Sequence, residues 1–210
     1  MPKAAAMTAE EFFPDERGLN AFRAAAEVCK ACHLWQMGTQ TVFGEGPSKA
    51  AMMMIGEQPG DREDLAGRPF VGPAGQLLDH ALEDAGIDRA DTYLTNVVKH
   101  FKWEPRGKRR IHQKPNAAEI RACIPWLQAE IELVMPTVIV LLGATAAQAL
   151  LGKEFRVTQS RGLWLETDLP AKTLATIHPS AILRTPDDLR EEQYKEFVAD
   201  LVTAASGVSA

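Results

Sequence analysis

The sequence predicts an α/β protein, a three-layer α/β/α arrangement around a central, mainly parallel four-stranded sheet. Three observations carry that expectation. Short apolar runs end at glycine or polar loops, stretches with helical periodicity separate them, and 210 residues suffice for one domain with a substantial core.

The strands are expected at residues 50–55, 92–98, 137–142 and 173–177, the first closing at Gly56 and the third at Gly143. Between them, residues 74–85 place Leu77, Leu78, Ala81 and Leu82 on one stripe and stop at Gly86, a glycine suited to end a helix. Asn116 is suited to cap a helix whose stripe runs through Ile120, Ile124, Leu127 and Ile131 to Met135, with Pro136 beyond its end. Pro125 is expected to bend that helix or divide it. A short alanine-rich helix follows to Leu151, and residues 187–205 read as a closing amphipathic helix, with the small-residue chain ends expected to fray. One domain over 1–210, with its core at about 20–204, accounts for the pattern.

Strands alternating with helices make a parallel sheet covered on both faces. In such sheets ligands bind beyond the carboxyl ends of the strands. The loops that lie there are 56–75, 96–114, 143–145 and 178–184, and most of the distinctive residues fall in them.

Composition narrows the function classes. The apolar runs are far too short to span a bilayer, and the acidic first 23 residues show no secretory signal, so a soluble, cytoplasmic protein without a membrane partner is expected. The formal net charge is −5, yet residues 99–114 hold seven Lys or Arg and one acid, Glu104. A local cationic loop on an acidic body can touch phosphates at one place without coating nucleic acid indiscriminately. Three cysteines cannot complete a disulfide framework, and the pair Cys29-x-x-Cys32 favours metal or redox chemistry. With Cys123 a fourth ligand is needed. His33 is adjacent to Cys32 and awkwardly placed, whereas His100 lies ahead of the helix that carries Cys123. Spacing alone leaves zinc with three thiolates and one imidazole open.

The loop after the first strand reads Gly56-Glu57-Gln58-Pro59-Gly60-Asp61 and continues through Gly67, Pro69 and Phe70 to Gly72-Pro73-Ala74-Gly75. Such spacing lets another molecule approach the backbone; taken alone, it equally suits a generic phosphate loop. Thr95-Asn96-Val97-Val98-Lys99 ends the second strand and His178-Pro179-Ser180 follows the last.

In this order the motifs resemble the family-4 uracil-DNA glycosylases, which carry a Gly-Glu-Ala-Pro-Gly loop, a Gly-Arg-Pro-Phe-Val-Gly-Pro-Ala-Gly stretch, Thr-Asn-(Val/Ile)-Val-Lys and a terminal His-Pro-Ser. The likeness runs from about Cys29 to Arg184. Three departures resemble the X-type branch of the superfamily, whose members bond covalently to uracil-containing DNA. Gln58 replaces an alanine, His100 replaces a cluster cysteine, and the basic segment Lys108-Arg109-Arg110-Ile111-His112 precedes Cys123.

The resemblance implies a uracil-DNA glycosylase-like fold and a [4Fe–4S] cluster on Cys29, Cys32, His100 and Cys123. It implies excision of uracil from DNA, with Phe70 stacking on the extruded ring, Asn96 reading its edge and His178 stabilising the departing anion. His112 would attack C1′ of the sugar. Glu57 would activate the nucleophile or shape the pocket against thymine, and Gln58 would contact uracil or position the same elements. Lys108, Arg109, Arg110, Ser180 and Arg184 would contact DNA, with Arg109 and Arg110 also favouring an uncharged His112. Uracil-containing DNA, preferably single-stranded, would be the partner of a monomer. A conventional hydrolytic family-4 enzyme and a non-catalytic uracil-DNA binding module remain the alternatives.

Overall fold

Four of the apolar segments pair side by side in the computed structural model, which describes residues 7–208; the outermost parts of the expected 1–210 domain, of the acidic leader and of the fraying ends lie outside the described residues. In chain order the strands are β1 (Met52–Gly56), β2 (Thr92–Asn96), β3 (Trp103–Arg106), β4 (Arg109–His112), β5 (Val138–Leu142), β6 (Trp164–Leu165) and β7 (Lys172–Thr176). The main sheet has the order β2-β1-β5-β7-β6. Its first four strands are parallel, and β6 pairs with β7 antiparallel. The sheet therefore has five strands where the sequence predicts four, because a two-residue edge strand is too short to carry a periodic pattern.

The helices are α1 (Leu19–Glu27), α2 (Asp61–Ala66), α3 (Pro73–Asp84), α4 (Ala117–Val134), α5 (Ala144–Leu151), α6 (Val157–Ser160), α7 (Pro179–Arg184) and α8 (Asp187–Val208). Alternation along the strands divides the core in two. Met53, Ile55, Tyr93, Ile139 and Leu141 pack with Phe22, Trp126, Leu127 and Ala146 from α1, α4 and α5. Met52, Met54, Leu94, Val138 and Val140 pack with Leu78, Leu82, Ile182, Phe197 and Leu201 from α3, α7 and α8 on the other face. The three layers expected from the sequence follow, and no helix among the described residues is long and apolar enough to cross a membrane.

Asn116 caps α4 as its sequence suggests. Its Oδ1 accepts from the N–H groups of Ala118 and Glu119 at 2.9 Å, while Glu119 accepts from the Asn116 N–H at 2.6 Å. The helix continues through Pro125 undivided, contrary to one of the two outcomes expected of that residue. Burial of Trp126, Leu127, Ile131 and Val134 beyond the proline offsets its lost hydrogen bond.

The basic segment is no loose loop. Strands β3 and β4 close on a turn at Gly107 and Lys108, with Gly107 at φ +60°, and pair Trp103 with His112 and Arg106 with Arg109. This hairpin rises beyond the carboxyl end of β2.

Candidate active site

The carboxyl ends of β1 and β2 set the centre of the site. A side chain on Gly56 would meet the Asn96 amide oxygen and come within 2.8 Å of the Phe70 ring, so a glycine here is what lets those two groups approach. Phe70 is buried and adopts φ +55°, rare for an aromatic residue. Backbone contacts hold it there. Gly75 lies against the Phe70 main chain, where any Cβ would collide, and Arg89, paired with Asp79, donates to the Phe70 carbonyl at 3.2 Å. The Phe70 ring stacks toward His178, centroid to centroid 6.2 Å.

Asn96 is 3% exposed, yet among the described residues its side-chain amide forms no hydrogen bond. Buried amides almost always have partners. The amide's polar atoms reach the surface beside the aromatic face, where a ligand can meet them.

His178 caps α7. The Ser180 N–H donates to His178 Nδ1 at 3.1 Å, so the ring proton resides on Nε2. Burial pushes its pKa down to about 4, against the opposing pull of Glu57, so the imidazole is neutral at physiological pH. Ser180 also accepts from Arg184 at 3.1 Å, which places both residues at the exposed rim.

Glu57 faces His112, Oε1 to Nε2 3.2 Å, and accepts a hydrogen bond from Thr145 through its other oxygen. Burial alone would raise its pKa. The hydrogen bonds from His112 and Thr145, with the positive charge that His112 or His178 carries when protonated, outweigh burial and hold the carboxyl below its ordinary value. His112 is half-exposed, at the foot of β4.

Two side chains of the expected site are held by partners in the fold. Gln58, expected to contact uracil or to position the same elements, donates through Nε2 to the carbonyls of Lys102 (3.2 Å) and Gln113 (3.1 Å), and its Oε1 accepts from the Lys102 N–H (3.3 Å). It ties both feet of the hairpin to the loop after β1. Arg110, expected at the DNA, is engaged by α2. It donates to Asp61 at 2.5 Å and to Asp64 at 2.6 Å, and it lies over the rings of Phe101 and Trp103. Lys108 and Arg109, at the turn, are exposed and form no ion pair among the described residues.

Several partners carry no signal in the sequence. Asp64 is fully buried and also accepts from the Thr39 N–H at 2.8 Å, and Glu63 holds the Gly72 N–H at 2.9 Å. Thr145 lies in a loop expected at the rim, but nothing in sequence marks its hydroxyl. Arg89 is joined to Phe70 only through space.

Cys29, Cys32, His100 and Cys123 line one cavity, together with Lys99 and Trp126. All three cysteines are unbridged. His33 stands aside, exposed and 3.4 Å from Glu119. The Lys99 N–H donates to Cys123 Sγ at 3.2 Å. Burial raises the Cys123 pKa to about 12 and lowers that of His100 to about 4. Among the described residues the buried Trp126 Nε1–H has no partner. Thr41 donates to the Ala26 carbonyl at 2.9 Å and so accepts from His100 Nε2 at 3.0 Å, leaving Nδ1 as the ring's lone-pair nitrogen.

A parallel sheet thus gathers an amide, a neutral imidazole and an aromatic ring at its carboxyl rim, groups with the chemistry to hold a planar polar ring. The family model for the Uracil DNA glycosylase superfamily matches residues 43–202, and the chain belongs to that superfamily. Among its relatives, a type-4 uracil-DNA glycosylase of Thermotoga maritima is 42% identical over 157 residues, covering 74% of this chain and 78% of its own. Type-4 enzymes of Sulfurisphaera tokodaii (38% over 178 residues; 80% and 78% covered) and Pyrobaculum aerophilum (38% over 175; 80% and 85%) are similar. These likenesses support the superfamily and the type-4 relationship and lend no support to the X-type branch.

Proposed function

We propose that this chain removes uracil from DNA by cleaving the N-glycosidic bond of deoxyuridine. The observation that carries the reading is the Asn96 amide, almost enclosed and without a hydrogen bond among the described residues, between the Phe70 ring and the end of β1. An amide offers one donor and one acceptor to the uracil edge. Deoxyuridine must leave the base stack to reach it, at a cost of about a few kcal/mol that stacking on Phe70 helps offset.

When the glycosidic bond breaks, its electron pair leaves with uracil N1 and positive charge develops on the sugar, as in other glycoside cleavages. His178 Nε2–H is a neutral donor suited to the uracil anion. Glu57, ionised below the ordinary carboxylate range, supplies negative charge close to where the sugar cation forms.

Water completes the reaction in the reading the type-4 relatives favour: it adds to C1′, loses its proton toward Glu57, and leaves an abasic sugar. The His112–Glu57 contact favours a second reading for this chain. Here a neutral His112 ring uses its unprotonated nitrogen to attack C1′. The positive charge passes from sugar to ring, and protein and DNA stay joined.

The cavity between α1 and α4 is the proposed seat of a [4Fe–4S] cluster held by Cys29, Cys32, His100 and Cys123. The donor set fits. Thiolates suit iron–sulfur clusters, an N–H already addresses Cys123, and the orphaned Trp126 N–H lines the same cavity. Zinc on the same three thiolates and imidazole is the alternative, which metal analysis of the purified protein distinguishes from about four irons per chain. The cluster's contribution would be to cross-link the Cys29–Cys32 turn to α4 and the start of the hairpin.

One experiment tests the reading. Protein is incubated with single-stranded DNA carrying one uracil, free uracil is measured, and the mixture is run on a denaturing gel. Free uracil with an abasic strand is the hydrolytic outcome. Free uracil with a retarded protein–DNA band that His112→Ser abolishes is the covalent one. DNA bound without uracil release leaves only a binding module, and release at the full rate by Asn96→Ala defeats the assigned site.

A further inference from the structure

Beneath Asn96 lies a charge pair that the chemistry above does not use. Lys99 and Glu130 are buried to 1% and 0% side-chain exposure. The Lys99 ammonium donates to Glu130, to Thr95 Oγ1 at 2.7 Å and to the Asn96 carbonyl at 2.8 Å. Those three bonds use all three of its protons. Glu130, on α4, also accepts from the Gly44 N–H at 2.8 Å, the Tyr93 hydroxyl at 3.1 Å and the Thr95 hydroxyl at 2.8 Å.

A buried ion pair is a poor way to gain stability, because desolvation cancels most of the attraction and an apolar pair of similar volume does as well. What this pair supplies is geometry. Asn96 is the last residue of β2, where regular sheet pairing ends. The Val97 N–H of the same peptide unit donates to the Gly56 carbonyl at 2.9 Å, and Lys99 supplies the partner of the Asn96 carbonyl on the opposite side. The ammonium grips that carbonyl and the preceding threonine at once, and α4 holds the ammonium through Glu130.

We propose that Lys99, clamped by Glu130, is a positioning residue that fixes the angle at which Asn96 meets the extruded base. The inference rests on Asn96 as the uracil-reading residue. Because the Lys99 N–H also addresses Cys123, the same residue joins the uracil pocket to the wall of the cysteine cavity.

The test is Lys99→Met/Glu130→Leu, which removes both charges and orphans neither, made in the wild-type and Asn96→Ala backgrounds. Melting temperature and iron content establish that the protein is folded and intact. Single-turnover rate and substrate affinity are then measured on uracil-containing DNA. The expected result is a rate lowered roughly 10- to 100-fold, the scale of a displaced reacting group, with affinity for DNA unchanged. In the Asn96→Ala background the double substitution should cost nothing further.

A folded variant with the wild-type rate overturns the proposal, as does an equal loss in both backgrounds, which would mark a structural role. Should the double variant not fold, Thr95→Val weakens the clamp and leaves both charges. A rate loss that vanishes with Asn96→Ala supports the proposal there, and a wild-type rate overturns it. Full activity in Asn96→Ala alone defeats the uracil reading itself, and is thereby distinguished from a failure of the clamp.

Discussion

Replacing Arg110 by methionine removes the guanidinium that braces the hairpin against α2. The side chain makes ion pairs with Asp61 and Asp64, donates to Thr39 Oγ1 at 3.1 Å, and covers two aromatic rings. Asp64 is fully buried and would keep only the Thr39 N–H as a charged-state partner. Breaking a buried pair by deleting one member costs about 3–5 kcal/mol. Arg110 is about one-fifth exposed and Asp61 half-exposed, and methionine keeps some of the ring contact, so roughly 2 kcal/mol is the expected loss. In a chain of this size that lowers the melting temperature by about 4–8 °C. Thermal denaturation at neutral pH reads it, with Arg109→Met as the control that should stay within about 0.5 kcal/mol of wild type. Asp64→Asn added to Arg110→Met should recover part of the loss, since no charge is then left unpaired. An unchanged melting temperature in Arg110→Met, with DNA affinity falling as in a lost phosphate contact, would refute the reasoning and return Arg110 to the DNA.

Two further outcomes follow from the pocket. Because His178 has a pKa near 4, its ring carries no charge from pH 5 to 8 and takes up a proton only as pH falls toward 4. The single-turnover pH–rate profile should therefore show no inflection near 6.5 that disappears in His178→Asn; finding one would contradict a neutral donor. Gly56→Ala places a methyl group against Asn96 and Phe70. The protein should fold with a loss of about 1–3 kcal/mol and excise uracil roughly 100-fold more slowly, whereas a wild-type rate would show that the two groups need not approach.

The sheet and its order of elements were legible because buried parallel strands are continuous apolar runs, and each of the four long ones is marked by its own residues. The edge strand Trp164–Leu165 was not, since two residues have no period. Phe70, Asn96, Glu57 and His178 could be placed at one rim by topology alone, because Asn96 lies at the end of a strand and the other three follow strand ends. The partners of the hairpin could not. Arg110 reads in sequence as one more cation in a basic run, and Asp64 as one more acid in a polar loop. Their pairing across 46 positions exists only once α2 and β4 are packed. For Gln58 the sequence offered a contact with uracil or a positioning role without the partners of either, and its three hydrogen bonds all go to backbone at residues 102 and 113.

The ribbon formed by β3 and β4 satisfies its own backbone and touches the rest of the molecule through few side chains, chiefly Gln58 at its feet, Arg110 along its flank and Trp103, which donates to the Met37 carbonyl at 2.7 Å. A segment anchored in this way can vary in length and charge at its tip while the sheet keeps its register. Substitutions at its tip should therefore leave the rim where Phe70, Asn96 and His178 gather as it is. The scaffold behaves as a socket and the ribbon as an interchangeable tool.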